Sequence, residues 1–157
     1  MKTPAKAPLI PGKMKYLFCL GLVVAVLLAA LSSSAEDDIK LLQGTWIPAK
    51  AELGGRSMSD EVLKTISLKF EQTNWVVYVG EHPDKGVYTV ETTTKPKSMT
   101  ITGTEGPNHG RTFPAIYELK GDSLSICYDL SGAKRPSEFK SVEGTKLYLV
   151  TYTRKHA

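Results

Sequence analysis

Short runs of alternating apolar and polar residues, separated by turn-forming residues, occupy most of the chain after residue 40. In one of them, Ile66, Leu68 and Phe70 fall on one face and Ser67, Lys69 and Glu71 on the other. This alternation is typical of a strand with one face on a core and the other in water. Eight strands are predicted: Thr45–Glu52, Ile66–Glu71, Trp75–Gly80, Gly86–Thr92, Ser98–Thr102, Phe113–Lys120, Ser123–Tyr128 and Lys146–Arg154.

Three segments depart from simple alternation. Trp75–Gly80 and Lys146–Arg154 are apolar on both faces, so the pattern does not assign their orientation. Ser57–Lys64 is predicted as the one short helix, because a serine can cap its start and early acids and a final lysine suit the helix dipole.

The lengths of the connections between strands predict which end of the fold carries the long loops. In an up-and-down meander, successive connections alternate between the two ends, which places the long ones together at a mouth and the tight ones at a base. The fold class predicted is therefore all-β, an eight-stranded antiparallel up-and-down barrel, which can hold side chains or one small ligand. The tight connections are Gln72–Asn74, Thr93–Lys97 and Gly121-Asp122, and the long ones are Leu53–Thr65, Glu81–Lys85, Gly103–Thr112 and Asp129–Thr145.

The first 35 residues have the organisation of a secretory signal. A basic stretch ends at Lys15, an apolar run covers Leu17–Leu31, and Ser33 and Ala35 supply the small residues required before a cut after Ala35. The alternative is an uncleaved anchor, but fifteen apolar residues span only about 22 Å of a hydrocarbon core of ~30 Å. Met14 offers an alternative start to Met1.

Two units follow from that signal: a cleaved peptide, residues 1–35, and one domain, residues 36–157. The protein is predicted to be exported to the periplasm or the extracellular space, and to meet a membrane only through the signal before cleavage. The first 35 residues contain four of the 20 basic residues and none of the 16 acidic ones, so the domain has 16 of each. This balance excludes a nucleic-acid partner, which needs a basic surface.

Removal of the signal also removes Cys19 and leaves Cys127 as the domain's one cysteine, so the domain cannot form an internal disulfide. Buried, inert packing is predicted for this thiol, with a nucleophile or a link between two chains as alternatives.

The predicted domain contains five distinctive segments: Leu41–Trp46, Glu52–Gly55, Gly86–Tyr88, Ile116–Leu124 and Cys127 followed by Arg135–Phe139. Taken together, they resemble a small secreted domain that is abundant in planctomycete bacteria. That family is uncharacterised and its fold is regarded as lipocalin-like, so the resemblance implies a lipocalin-like barrel and no activity. It covers nearly all of the predicted domain.

Within this resemblance, Gly44-Thr45-Trp46 is similar to the Gly-x-Trp that opens the first strand of lipocalins. There the tryptophan closes the base of the barrel and an arginine at the end of the last strand packs across its ring. Arg154 stands at the matching place, which implies a structural role for Trp46 and Arg154.

The candidate ligand-binding residues are the inward positions of the alternating strands. Bulky residues such as Phe113, Tyr117 and Tyr128 favour a filled interior, whereas Ala115 and the strand glycines favour a cavity, and the sequence leaves both open. The predicted lining is Phe70, Met99, Ile101, Tyr117, Leu124 and Ile126.

The predicted mouth carries the polar candidates. Histidines and carboxylates together suit zinc, nickel or copper, but Glu-His-Pro-Asp and Asn-His-Gly are ordinary turn compositions, so neither a metal nor a cofactor is predicted. Arg135 has two readings, an anion clamp or, as favoured, a salt bridge that ties the longest connection to the wall. The candidates are Glu81, His82, Asp84, His109, Arg111, Asp129, Lys134 and Arg135.

Signatures of catalysis are missing from the sequence: it has no Gly-x-Ser-x-Gly, no P-loop and no cysteine signature. Two mouth carboxylates could act as acid and base, but charged residues on a solvated rim are far commoner, and no catalytic residue is predicted. The predicted function is an exported lipocalin-like binding module for a small apolar or amphipathic molecule. The alternative is a structural or protein-interaction domain of the cell envelope, with an envelope protein as its partner and a filled barrel.

Overall fold

The computed structural model describes residues 35–156, so the predicted signal lies outside the described residues apart from residue 35. Within this part of the chain, no helix has the length and apolar character needed to cross a membrane. The elements are α1 (residues 35–42), β1 (Gly44–Leu53), β2 (Arg56–Ser57), α2 (Asp60–Leu63), β3 (Ile66–Glu71), β4 (Asn74–Val79), β5 (His82–Glu91), β6 (Lys97–Glu105), β7 (Thr112–Lys120), β8 (Ser123–Asp129) and β9 (Leu147–Arg154).

Eight of these strands form a closed barrel. Strands β1 and β3 to β9 pair antiparallel in chain order, and the pairing of β1 with β9 closes the sheet. Strand β2 is a two-residue extension that pairs with the end of β1 outside the ring. The predicted fold class, an all-β antiparallel up-and-down barrel, is confirmed.

The two ends of the barrel follow from the strand pairing. The turn at Gly121 joins β7 to β8 at the base, whereas the turn before His82 joins β4 to β5 at the mouth. The predicted long connection Glu81–Lys85 is wrong, because Val79 pairs with His82 across a two-residue turn. Gly80, with φ of +63°, supplies the left-handed backbone that such turns favour.

The helix prediction is also corrected. The predicted helix begins at Ser57, but Ser57 belongs to β2 and pairs with Glu52 of β1, so α2 is confined to Asp60–Leu63. The barrel has a second helix, α1, that the sequence did not predict. In α1, Asp38 and Leu42 are buried, and residues four apart in a helix lie on the same face.

Helix α1 closes the base through Trp46. This side chain is fully buried, and its indole Nε1 donates to the carbonyl of Leu42 at 2.8 Å. The guanidinium carbon of Arg154 lies 4.2 Å from the centre of the Trp46 ring. The stacking expected from the sequence is therefore present.

Arg154 also binds the end of α1. Its Nη1 and Nη2 atoms donate to the carbonyls of Gln43 and Leu41, each at 2.7 Å, and its Nε donates to Asp122 at 3.0 Å. Carbonyls at the end of a helix have no partner within the helix, and a cation there is favourable.

A second set of polar contacts fixes α1 from inside the barrel. Asp38 accepts hydrogen bonds from Lys97 at 2.7 and 2.9 Å and from the Tyr117 hydroxyl at 2.5 Å. Burial, reinforced by the Asp38 carboxylate, raises the pKa of Tyr117. Phe70 packs edge to face on Tyr88, with ring centres 4.6 Å apart. These large side chains fill the half of the barrel next to the base, which we call the lower half.

We expect Arg154→Ala to lower the free energy of unfolding by roughly 1–2 kcal/mol, because it removes the stacking of Arg154 on Trp46 and its hydrogen bonds to the carbonyls of Leu41 and Gln43. Arg154→Lys keeps the charge but loses the planar guanidinium with its several donors. Its free energy of unfolding should lie between those of the alanine variant and the wild type. Urea unfolding followed by circular dichroism measures both. An unchanged midpoint for the alanine variant would contradict the role assigned to Arg154.

Candidate functional site

Above the filled base, the mouth half of the barrel contains a cavity of about 210 Å³. Its wall is largely apolar, with five aromatic side chains and one acidic residue. The lining residues are Ile66, Leu68, Trp75, Val77, Val79, Asp84, Ile101, Asn108, Phe113, Tyr128, Leu130, Tyr148 and Tyr152.

The position of Trp75 in the wall depends on Gly86, its partner across β4 and β5. A Cβ at Gly86 would lie 1.9 Å from the Thr102 carbonyl oxygen and 2.7 Å from the Trp75 Nε1. The bare glycine therefore makes room for the indole, whose Nε1 donates to the Val87 carbonyl at 3.2 Å. From the sequence, the strand glycines are expected to favour a cavity. In the structure, the space beside Gly86 is occupied by the Trp75 indole.

Three tyrosines form the opposite wall, on β8 and β9. Tyr128 and Tyr148 stack with ring centres 5.7 Å apart, and Tyr152 is nearly fully buried. Burial raises the pKa of Tyr148 to about 12, and it also raises the pKa values of Tyr128 and Tyr152. These hydroxyls stay neutral at physiological pH and can donate or accept hydrogen bonds.

Asp84 is the acidic residue of the lining. It lies directly opposite Val77 in the pairing of β4 with β5, and the residue is only 6% exposed. Its carboxyl oxygens accept a hydrogen bond from the backbone N–H of Asn108 at 3.3 Å and a second from the Asn108 side-chain amide. Among residues 35–156, no lysine, arginine or histidine forms an ion pair with Asp84.

Arg111 lies at the rim and joins two mouth connections. Its guanidinium carbon is 4.7 Å from the centre of the Phe113 ring, and its Nη2 donates to the carbonyl of Leu130 at 2.9 Å. Its Nη1 donates to the Asn108 Oδ1 at 3.0 Å. Arg111 thereby orients the Asn108 amide, whose nitrogen is turned to Asp84.

The predicted lining is only partly in the cavity. Of its six residues, Ile101 alone lines the space. The others are buried in the core, as expected of inward positions, but they belong to the filled part of the interior. Tyr117 illustrates the reason, since its hydroxyl reaches the base and binds Asp38 there. The five residues outside the cavity are Phe70, Met99, Tyr117, Leu124 and Ile126.

The predicted polar mouth is dispersed. His82 begins β5 and His109 lies in the connection between β6 and β7; both are exposed, and neither lines the cavity. Across residues 35–156, no three His, Cys, Asp or Glu side chains are close enough together to hold a metal ion.

Arg135 is on the outer wall and not at the mouth. Its Nη1 donates to the carbonyls of Met99 and Ala115, each at 2.6 Å, and its Nη2 donates to the Thr100 hydroxyl at 2.9 Å. It ties the connection between β8 and β9 to the wall, but through two carbonyls and a hydroxyl and not through the predicted salt bridge. The same connection covers Cys127, whose buried thiol donates to the Lys140 carbonyl at 3.6 Å.

The sequence missed the β4 and β9 wall of the cavity because these strands are apolar on both faces. A usable signal was present for β4. With a two-residue turn at Gln72-Thr73, Phe70 pairs with Trp75, so the inward face of β3 fixes the inward face of β4. No comparable signal exists for β9, which follows the longest connection.

We expect Gly86→Ala to destabilise the barrel by roughly 1–3 kcal/mol and to change tryptophan emission, because the new Cβ displaces either the Thr102 carbonyl or the Trp75 indole. Gly110→Ala is the matched control: its φ of +78° is unfavourable to alanine, but no atom lies within 4 Å of the new Cβ. Gly110→Ala should lower the free energy of unfolding by about 1 kcal/mol and leave the tryptophan emission unchanged. Equal spectra for both variants would contradict the close packing of Trp75 on Gly86.

No protein-family model, curated protein or solved structure matches this chain.

Proposed function

We propose that this chain is an exported, non-catalytic binding module that holds one small, largely apolar molecule in the mouth half of its barrel. The observation that supports this most directly is the cavity of about 210 Å³, walled by aromatic and aliphatic side chains above a closed base. Export rests on the signal-like first 35 residues, and membership of the lipocalin-like planctomycete family rests on the sequence resemblance.

The size of the cavity sets the size of the ligand. A dry cavity of about 150 Å³ can hold benzene, so about 210 Å³ accommodates one ring with a short substituent. Burial of apolar surface against this wall contributes roughly 25 cal/mol per Å² before the costs of association are subtracted.

The alternative, a structural or interaction domain of the cell envelope, is favoured by the filled lower half, where Tyr88, Tyr117 and Phe70 leave no room for a ligand. A ligand bound in the upper half would distinguish the two proposals.

The direct experiment has two parts. Native mass spectrometry of protein purified from its own host should show a mass increment from a co-purified small molecule. Calorimetric titration of the emptied protein with three one-ring compounds, ethylbenzene, 2-phenylethanol and 2-phenylethylamine, should show saturable binding of at least one.

We expect Val77→Phe to abolish this binding, because the larger side chain fills the cavity that Val77 lines. Val76→Phe is the matched control, since the neighbouring side chain is on the other face of β4 and outside the lining. If none of the three compounds binds and no ligand co-purifies, the binding proposal fails and the structural alternative takes its place.

A further inference from the structure

The cavity contains a polar group that an apolar ligand would leave without a matching partner. Asp84 is 6% exposed, and among residues 35–156 it receives hydrogen bonds only from the uncharged Asn108, from its backbone N–H and its side-chain amide. A carboxylate has about four lone-pair sites, so two accepting sites remain. An ionised carboxylate in an apolar site is costly unless a cation or further donors reach it.

The second observation is the aromatic character of the surrounding wall. Faces of tryptophan and tyrosine attract cations, and Trp75, Tyr148 and Tyr152 line the same space as Asp84. The site already shows such a contact at its rim, where Arg111 lies over Phe113. Arg111 does not itself neutralise Asp84: the Asn108 amide stands between the two groups, and Arg111 is exposed, so water screens its charge.

The third observation is the order of the residues along the barrel axis. On β4 and β5, the pair of Trp75 with Gly86 lies below the pair of Val77 with Asp84. Two residues of an antiparallel strand span about 7 Å. A ring that rests against Trp75 therefore needs a short arm of two or three bonds to bring a polar end to Asp84.

We propose that the ligand is a small organic ammonium ion, an apolar ring with a short aminoalkyl arm, whose nitrogen donates hydrogen bonds to Asp84 while its body packs against Trp75 and the tyrosines. The inference rests on the proposed binding function and specifies the class of molecule bound. The ammonium group supplies what the lining lacks, a cation for the buried carboxylate and donors for its remaining lone pairs.

The test compares two compounds of nearly the same shape. By calorimetry, 2-phenylethylamine, which is cationic at pH 7, should bind wild-type protein at least about tenfold more tightly than neutral 2-phenylethanol, because a charge-assisted hydrogen bond is stronger than a neutral one. Asp84→Asn should reduce this ratio of affinities to about one, because it weakens binding of the amine and leaves binding of the alcohol unchanged.

Asp129→Asn is the matched control. Asp129 is also 6% exposed, but it binds Ser131 and the backbone of Lys134 and does not line the cavity. This variant should keep the wild-type preference for the amine. If Asp84 only anchored the connection between β6 and β7, Asp84→Asn would weaken binding of the amine and of the alcohol equally.

The outcomes separate the two proposals. If the alcohol binds as tightly as the amine in the wild type, the ammonium proposal is overturned and the apolar binding function stands. If neither compound binds, nor ethylbenzene, and no ligand co-purifies, the binding function itself fails. Should Asp84→Asn not fold, the ratio of amine to alcohol in the wild type, with Val77→Phe as the negative control, still decides the matter.

Discussion

The closure of the base by α1 is the constraint from which the rest of the interior follows. The antiparallel pairing of β1 with β9 puts Trp46 opposite Arg154, and Arg154 then reaches both the indole and the last carbonyls of α1. With α1 fixed, Asp38 points into the barrel and binds the Tyr117 hydroxyl. The large side chains of the lower half are thereby held at the base, and the free space is confined to the mouth.

The two halves of the barrel use the same residue type in different ways. At the base, Tyr117 and Tyr88 fill space and place their hydroxyls on fixed protein acceptors, Asp38 and the Gln72 carbonyl. At the mouth, Tyr148 and Tyr152 form a wall beside a cavity. A filled, hydrogen-bonded base makes the cavity a preformed one, so a ligand does not bear the cost of organising its site.

Short runs between turn residues predicted every barrel strand, and alternation also assigned a buried face in several of them, but not in β4 and β9, which are apolar on both faces. Features that depend on a partner were not predictable in this way. Helix α1 has a narrow inward face, which consists mainly of Asp38 and Leu42. These two residues are buried only because the helix covers the base of the barrel, so their positions in the sequence do not predict the helix. The side chain of Arg135 is set by carbonyls of two distant strands, which no local pattern encodes.

The candidate site shows the same division. The sequence predicts Asp84 among the mouth residues and Ile101 in the lining, but it does not indicate that Asp84 faces inward, because the turn residues in Glu81–Lys85 predict a loop there. Once His82 pairs with Val79, the two-residue period of β5 turns Asp84 to the interior. The register of one turn thus decides whether this carboxyl group is solvated or buried.

The connection that Arg135 fastens to the outer wall has a consequence for the chemistry of the domain's single thiol. Burial beneath this connection raises the pKa of Cys127 and removes it from solvent, so oxidants reach it only when the segment lifts from the wall. Oxidation of Cys127 by an added oxidant is then governed by the free energy of a local opening and not by that of global unfolding. The hydrogen bonds of Arg135 to β6 and β7 would set that local free energy, and with it the rate at which the thiol is oxidised.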